Sequence, residues 1–206
     1  MRDTDLAGLD EVCNHERSKY IEGFTTGKAR CDKNWARAFY DVIPELGIKT
    51  MLDVGCGAGK FVLDMVTRFG ADFAYGIDIA SVHLGLVPDH PDVIFFDGTA
   101  KRLPLPDNHV GWVTSTDMLE HIHEPDVDQV LDEMVRVAHT GLLLTICHRE
   151  SGEVVQGENL HPTVKPWAWW LEKLEARGLD VEILTDRAAR GSGDDTPVIC
   201  RFKGLA

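Results

Sequence analysis

The sequence predicts an α/β protein built on a doubly wound, mostly parallel sheet of seven strands that ends in an antiparallel hairpin. Through the middle of the chain, short apolar runs alternate with segments of helical periodicity, and the last two apolar runs are separated only by a polar turn. Alternating strands and helices favour parallel pairing, because each helix returns the chain to the start of the next strand. A length of 206 residues is that of one domain.

The N-terminal region is predicted to be helical. Apolar side chains recur at helical spacing over residues 32–46, before Pro44 and Gly47 weaken the pattern. We therefore expect residues 1–46 to form a helical cover segment of the same domain, and residues 47–206 to contain the sheet.

Five apolar runs are predicted as parallel strands, namely Thr50–Val54, Phe73–Ile77, Val93–Phe96, Val110–Thr114 and Leu142–Cys147. A helix follows the first strand and ends at Gly70, and another helical pattern, from Val127 to Ala138, precedes the fifth strand. The polar residues 148–166 are predicted to form a long loop, and a loop of this length is usually functional or disordered.

The last third of the chain completes the predicted sheet. A helix starts behind Pro166 and ends at Gly178, because proline suits the first helical turn and glycine suits the residue after the last. The strands Val181–Leu184 and Val198–Phe202, joined by a polar turn at 188–195, are predicted to form an antiparallel hairpin.

The composition restricts the partners and the compartment. Lys and Arg total 21 against 34 Asp and Glu, and the formal charge of -13, without a local basic patch, argues against nucleic acid. No run of about 18 apolar residues is present, so we expect no membrane span. The five cysteines are scattered and form no C-x-x-C pair, which favours a reducing cytoplasm over a disulfide framework.

A glycine-rich turn follows the first predicted strand. Gly55, Gly57 and Gly59 permit positive φ angles and would allow a ligand to lie against the main chain. A dinucleotide fingerprint needs G-x-G-x-x-G, and Lys60 occupies the place of its third glycine. The spacing therefore disfavours a pyrophosphate. The run resembles motif I of the class I S-adenosylmethionine-dependent methyltransferases, whose Rossmann-like sheet matches the predicted one.

Two acidic residues strengthen the resemblance. Asp78 ends the second strand, where a carboxylate can accept hydrogen bonds from both ribose hydroxyls of a nucleoside. Asp97 ends the third strand, where the family places an acidic residue against the adenine amino group. The cofactor implied is S-adenosylmethionine, and the residues implied to bind it are Asp53, Gly55, Cys56, Gly57, Gly59, Asp78, Ile79, Asp97, Gly98 and Thr116. Tyr20 and Trp35 are interpreted as packing residues that could also cover the cofactor.

A candidate metal site follows the fourth strand. Asp117, Glu120 and His121 occupy positions i, i+3 and i+4 of a predicted helix, and His161 lies in the long loop. The pattern resembles the E-x-x-E-H…H ligand set of the ubiquinone-pathway O-methyltransferases and the small-RNA 3′-terminal 2′-O-methyltransferases, with Asp117 in place of Glu. Two carboxylates and two imidazoles suit Mg²⁺, Mn²⁺, Fe²⁺ or Zn²⁺ without selecting among them.

The resemblance implies methyl transfer to a small-molecule acceptor, with a hydroxyl as the favoured group. Without a metal, His121 or His123 could act as general base, because imidazole titrates near neutrality. Three alternatives stay open: a metal-independent N-methyltransferase, an RNA 2′-O-methyltransferase and a cofactor-binding regulator without catalysis. The acceptor and the oligomeric state do not follow from the sequence.

Overall fold

The computed structural model describes residues 11–31, 35–184 and 195–204. The strands are β1 (Thr50–Val54), β2 (Phe73–Asp78), β3 (Val93–Asp97), β4 (Val110–Thr116), β5 (Ala138–Cys147), β6 (Val154–Val155), β7 (Glu158–Asn159), β8 (Leu179–Ile183) and β9 (Asp195–Phe202). The α-helices are α1 (Glu11–Thr26), α2 (Ile43–Leu46), α3 (Lys60–Thr67), α4 (Val127–Val137) and α5 (Trp167–Glu175), and three 3-10 helices cover Trp35–Phe39, Leu119–His121 and Glu124–Asp126.

The predicted sheet is confirmed. Seven strands pair in the order β3-β2-β1-β4-β5-β9-β8, and β6 pairs with β7 in a separate hairpin. The first five strands of this order are parallel, whereas β9 runs antiparallel to both β5 and β8. The chain builds outward from β1 to β3 and then returns to the other side of β1. In such sheets, ligands bind in the crevice at the carboxyl ends of the strands where the order reverses.

Each face of the sheet has its own core. On β1, Met51 faces one layer while Leu52 and Val54 face the other, as expected from the alternation of side chains along a strand. The helices α4 and α5 pack on the Leu52 side, and α3 packs on the Met51 side together with the 3-10 segment Trp35–Phe39.

The predicted helix over residues 32–46 is wrong. The chain instead forms a 3-10 helix, Trp35–Phe39, and then the short α2, whose first turn contains Pro44. Proline has no backbone N–H and clashes with a preceding turn, so one continuous helix cannot pass through it. Residues 32–34 lie outside the described residues, as does the side chain of Trp35.

The helix α1 lies within the region predicted as a helical cover, but its bounds, Glu11–Thr26, were not predicted from the sequence. Its buried residues include Glu16, Arg17 and Lys19, so its inward face is charged and gives no apolar periodicity. The predicted long loop at 148–166 contains the β6-β7 hairpin, and β6 packs against α1.

The C-terminal hairpin is confirmed as β8 and β9, although residues 185–194, which include most of its predicted turn, lie outside the described residues. Within the described ranges, no helix is long and apolar enough to cross a membrane.

Candidate active site

A cavity of about 340 Å³ opens at the carboxyl ends of β1, β2 and β4, and α1 covers it. Most of the predicted site residues line this cavity, namely Asp53, Gly55, Cys56, Gly57, Asp78, Ile79, Gly98, Thr116, Asp117, His121, His123 and His161. Three predicted residues, Gly59, Asp97 and Glu120, do not line it. The sequence positions chosen for cofactor, metal and base therefore converge on one place, with these three exceptions.

The three glycines of the turn adopt positive φ angles. The φ angles of Gly55, Gly57 and Gly59 are 78°, 52° and 70°. A Cβ atom at Gly57 would collide with the carbonyl oxygen of Cys31, and one at Gly59 would collide with the ring of Phe95. The glycines are required for their conformation and for close packing with the protein itself, which differs from the predicted role of clearing space for a ligand.

Asp78 holds the cavity edge in place. One carboxylate oxygen accepts a hydrogen bond from the backbone N–H of Gly57 at 3.0 Å, and the other accepts from Ala80 and Ser81 at 2.9 and 2.8 Å. These bonds join the glycine turn to the segment after β2. Because a carboxylate offers about four lone-pair sites, Asp78 retains accepting capacity for a ligand.

Asp53 lies at the bottom of the cavity and is almost fully buried. Its carboxyl oxygen accepts a hydrogen bond from Thr114 Oγ1 at 2.7 Å. Burial raises the pKa of Asp53 from 3.8 to about 7, the hydrogen bond from Thr114 opposes that rise, and the charge of Asp78 adds to it.

Asp97 does not line the cavity. Its Oδ2 atom lies 2.6 Å from Arg17 Nη2 of α1. The cavity is lined instead by the residues that follow, Gly98 and Thr99. The backbone N–H of Gly98 donates to the carbonyl of Asp78, which turns the chain after β3 towards the cavity. The contact of Asp97 with the adenine therefore stays a prediction.

The predicted metal ligands cluster, although the local backbone differs from the prediction. Asp117 is not helical: its φ is 57°, a left-handed conformation that non-glycine residues seldom adopt. The helix after it is a single 3-10 turn, Leu119–His121. Even so, one potential ligand atom from each of Asp117, Glu120, His121 and His161 lies within 4.8 Å of the others. Strain of this kind occurs most often at functional sites.

Glu120 is fully buried beneath the cavity. Its Oε1 accepts a hydrogen bond from the backbone N–H of Cys147 at 3.1 Å, while Oε2 has no hydrogen-bond partner among the described residues. Burial raises the pKa of the Glu120 carboxyl well above its usual range, and the adjacent Asp117 raises it further. A fully buried carboxyl group beside a half-buried one is a costly arrangement unless a positive charge accompanies them.

The two histidines of the cluster are held by protein oxygens. Nδ1 of His161 lies 2.7 Å from the carbonyl oxygen of Arg149, and Nδ1 of His121 lies 2.5 Å from the hydroxyl of Tyr20. The two imidazole rings have their centroids 4.5 Å apart and are nearly perpendicular. Because Nδ1 of His161 must donate to a carbonyl, its Nε2 carries the lone pair.

His123 has a carboxylate partner that the sequence did not suggest. Its Nε2 lies 3.1 Å from Oε1 of Glu16, and the same oxygen accepts from the buried Lys19 at 2.8 Å. Glu16 and Tyr20, both on α1, line the cavity with His123. Tyr20 packs against Phe24, as interpreted, and also lines the cavity; its covering of the cofactor stays a prediction. No periodic signal could have identified these residues, because α1 buries polar side chains.

Comparison with known proteins agrees with this geometry. Residues 51–141 match the family described as "Methyltransferase domain". Among curated proteins, the chain is 33% identical over 111 residues to a probable chloroplastic tocopherol O-methyltransferase of Oryza sativa subsp. japonica, covering 49% of this chain and 30% of the relative. It is 27% identical to the magnesium-protoporphyrin O-methyltransferase of Rhodobacter capsulatus, covering 68% of this chain and 66% of the relative. It is 31% identical to the ajmaline N-methyltransferase of Rauvolfia serpentina, covering 52% of this chain and 39% of the relative.

The chain thus spans between about a third and two thirds of the length of these relatives. Among solved structures, it is similar to a complex between the Haloferax volcanii Trm112 methyltransferase activator and a putative methyltransferase, with a TM-score of 0.65, 17% identity, and coverage of 88% of this chain and 96% of that one. A putative S-adenosylmethionine-dependent methyltransferase from Listeria monocytogenes gives a TM-score of 0.60 at 14% identity, covering 80% of this chain and 97% of that one. These two likenesses bear on the fold alone. From the match over residues 51–141 and the curated relatives, the chain contains a methyltransferase domain and is similar to the class I S-adenosylmethionine-dependent methyltransferases.

Proposed function

We propose that this chain transfers the methyl group of S-adenosylmethionine to a hydroxyl of a small-molecule acceptor, with a divalent cation held by Asp117, Glu120, His121 and His161. The observation that carries the proposal is the convergence of these four side chains within 4.8 Å beside the cavity of the glycine turn. Residues 1–46 would serve as the cover of the site, which is the position that α1 occupies. The cytoplasmic location expected from the cysteines stays a prediction.

The cavity suits a nucleoside. Asp78 is fixed by three backbone hydrogen bonds and is 9% exposed, so the one remaining site of about four lone-pair sites is preorganised to accept a ribose hydroxyl. We place the adenine beside Gly98 and Thr99, which line the cavity, in preference to the predicted Asp97, which pairs with Arg17.

The cluster suits a divalent cation. Its donors are two carboxylates and two imidazoles, and Oε2 of Glu120 is a buried oxygen with no partner among the described residues. Nε2 of His161 carries its lone pair because Nδ1 is engaged by the Arg149 carbonyl. The two histidine rings, with centroids 4.5 Å apart, are close enough to share one ion.

The chemistry divides between the bound groups and the protein. S-adenosylmethionine supplies an electrophilic methyl group on its sulfonium, and a cation would polarise the acceptor hydroxyl. The protein contributes orientation and exclusion of water, which together can lower a barrier by roughly 7–11 kcal/mol in well-aligned systems. His123 is placed to take the hydroxyl proton on Nδ1, because Glu16 engages its Nε2.

A second candidate function is N-methyl transfer without a metal. It is favoured by the similarity to an N-methyltransferase and by the Glu16–His123 pair, which needs no cation. The two candidates differ in their dependence on His161, since only the metal-assisted reaction requires this residue.

Calorimetric titration with S-adenosylhomocysteine tests the cofactor half of the proposal. We expect binding, together with a stabilisation of about 2.7 kcal/mol at 100 times the dissociation constant. A clear response to NAD with none to S-adenosylhomocysteine would refute the assignment.

Methyl transfer to a mixture of small hydroxyl and amine acceptors, followed by mass spectrometry, tests the cation half. We expect His161→Ala and chelation each to abolish transfer to hydroxyls while S-adenosylhomocysteine still binds. The matched control is His139→Ala, because His139 is exposed and lies at the opposite end of β5. Full activity of His161→Ala would favour the metal-independent candidate.

A further inference from the structure

Tyr20 connects the cover helix to the cation cluster. It belongs to α1, lines the cavity, and places its hydroxyl 2.5 Å from Nδ1 of His121, a residue 101 positions away in sequence. The phenol and imidazole rings meet edge to face, with centroids 5.9 Å apart. Tyr20 therefore contacts a proposed cation ligand directly.

This contact determines which nitrogen of His121 can bind an ion. An imidazole has two ring nitrogens, and a nitrogen engaged by a hydroxyl at hydrogen-bond distance is not available to a cation. His161 shows the same arrangement, since its Nδ1 is engaged by the carbonyl of Arg149 at 2.7 Å. In both histidines a protein oxygen holds Nδ1, which is the usual way in which ligand histidines are oriented in metal sites.

We propose that Tyr20 is a positioning residue of the cation site: its hydroxyl oxygen accepts a hydrogen bond from the Nδ1–H of His121, which leaves the lone pair of Nε2 for the ion. The inference rests on the proposed function, and in particular on its cation half. It goes further in making the cover helix part of the site, so that cation affinity depends on the docking of α1.

The attachment of α1 supports this dependence. The helix is held by polar pairs, including Arg17 with Asp97 at 2.6 Å and Lys19 with Glu158 at 3.4 Å. These pairs lie one turn or less from Tyr20 along the helix. Docking of α1 through them brings the hydroxyl to His121, whereas an undocked α1 would leave the imidazole without that partner.

The test is a double-mutant cycle on Mn²⁺ affinity, measured by electron paramagnetic resonance on the full chain. The four proteins are the wild type, Tyr20→Phe, His121→Ala and the double variant. We expect Tyr20→Phe to weaken Mn²⁺ binding by about 10- to 100-fold, the usual effect of removing a group that orients a ligand. In the His121→Ala background, the same change should alter affinity by less than about twofold, because Tyr20 acts only through His121.

Tyr40→Phe is the matched control. The hydroxyl of Tyr40 also makes a hydrogen bond, to Asp64 on α3, but it does not line the cavity. We expect this variant to bind Mn²⁺ as the wild type does. Calorimetric titration with S-adenosylhomocysteine establishes that each variant is folded, and Tyr20→Met replaces Tyr20→Phe if the latter is not.

Four results would overturn the inference. Unchanged Mn²⁺ affinity in Tyr20→Phe would show that the hydroxyl does not matter, and tighter binding would show that it competes with the ion for Nδ1. An equal loss with and without His121 would show a general structural role. A wild type that binds S-adenosylhomocysteine but not Mn²⁺ would overturn the cation half of the proposed function as well as this inference, and is thereby distinguishable from failure of the inference alone.

Discussion

Replacing Asp53 by Asn should change how the stability of the protein depends on pH. Asp53 is buried at the bottom of the cavity, and its pKa is raised from 3.8 to about 7. Between these two pH values the folded protein holds a proton that the unfolded chain has lost. The free energy of unfolding of the wild type therefore falls as the pH rises through this window and levels off above it. At 1.36 kcal/mol for each pH unit, the full effect is about 4 kcal/mol.

Asn cannot ionise, but its amide oxygen can still accept the hydrogen bond from Thr114. We expect the stability of Asp53→Asn relative to the wild type to rise by up to about 4 kcal/mol between pH 4 and pH 8. Urea unfolding of the ligand-free protein at four pH values in this range measures the difference. Asp180→Asn, at an exposed position on β8, is the control and should show no such trend. A constant difference between Asp53→Asn and the wild type would refute the reasoning.

Three further predictions concern the cofactor half of the cavity. Asp78→Asn should weaken S-adenosylhomocysteine binding by at least about tenfold, because a charge-assisted hydrogen bond contributes about 1.5–3 kcal/mol, and calorimetry showing an unchanged dissociation constant would exclude its ribose role. Thr99→Val should weaken S-adenosylhomocysteine binding by about 2- to 12-fold, whereas Asp97→Asn should change it by less than about twofold. A larger loss of affinity in Asp97→Asn than in Thr99→Val would show that Asp97 contacts the adenine. Gly57→Ala should lower the free energy of unfolding by about 1–3 kcal/mol, since alanine at positive φ is strained, while Gly152→Ala, where a Cβ meets no atom within 4 Å, should be nearly neutral.

The sheet was predictable because local pattern and fold agree. The glycines after β1 and the carboxylates after β2 and β4 come from strand ends, and parallel strands bring their carboxyl ends to one edge whatever the loops do. Asp78 and the cluster around Asp117 could therefore be placed together from sequence. His161 was matched through the resemblance to a known family, and its loop does bring it to His121.

A helical cover was predicted over residues 1–46, but the bounds of α1 could not be, for a physical reason. Sequence periodicity reports the burial of apolar surface, whereas α1 buries Glu16, Arg17 and Lys19. Asp97 illustrates a second limit, because the choice between it and Thr99 depends on which way the chain turns after β3. That turn is set by a backbone hydrogen bond from Gly98 to the preceding strand, which leaves no pattern in the sequence.

A crystal structure of the full chain with S-adenosylhomocysteine and Mn²⁺ tests the central claim most directly. We predict the nucleoside in the cavity with its ribose on Asp78, and an anomalous manganese peak at bonding distance from Asp117, Glu120, His121 and His161. A nucleoside bound elsewhere, or an ordered cofactor complex in saturating Mn²⁺ with no manganese at these four side chains, would contradict the account.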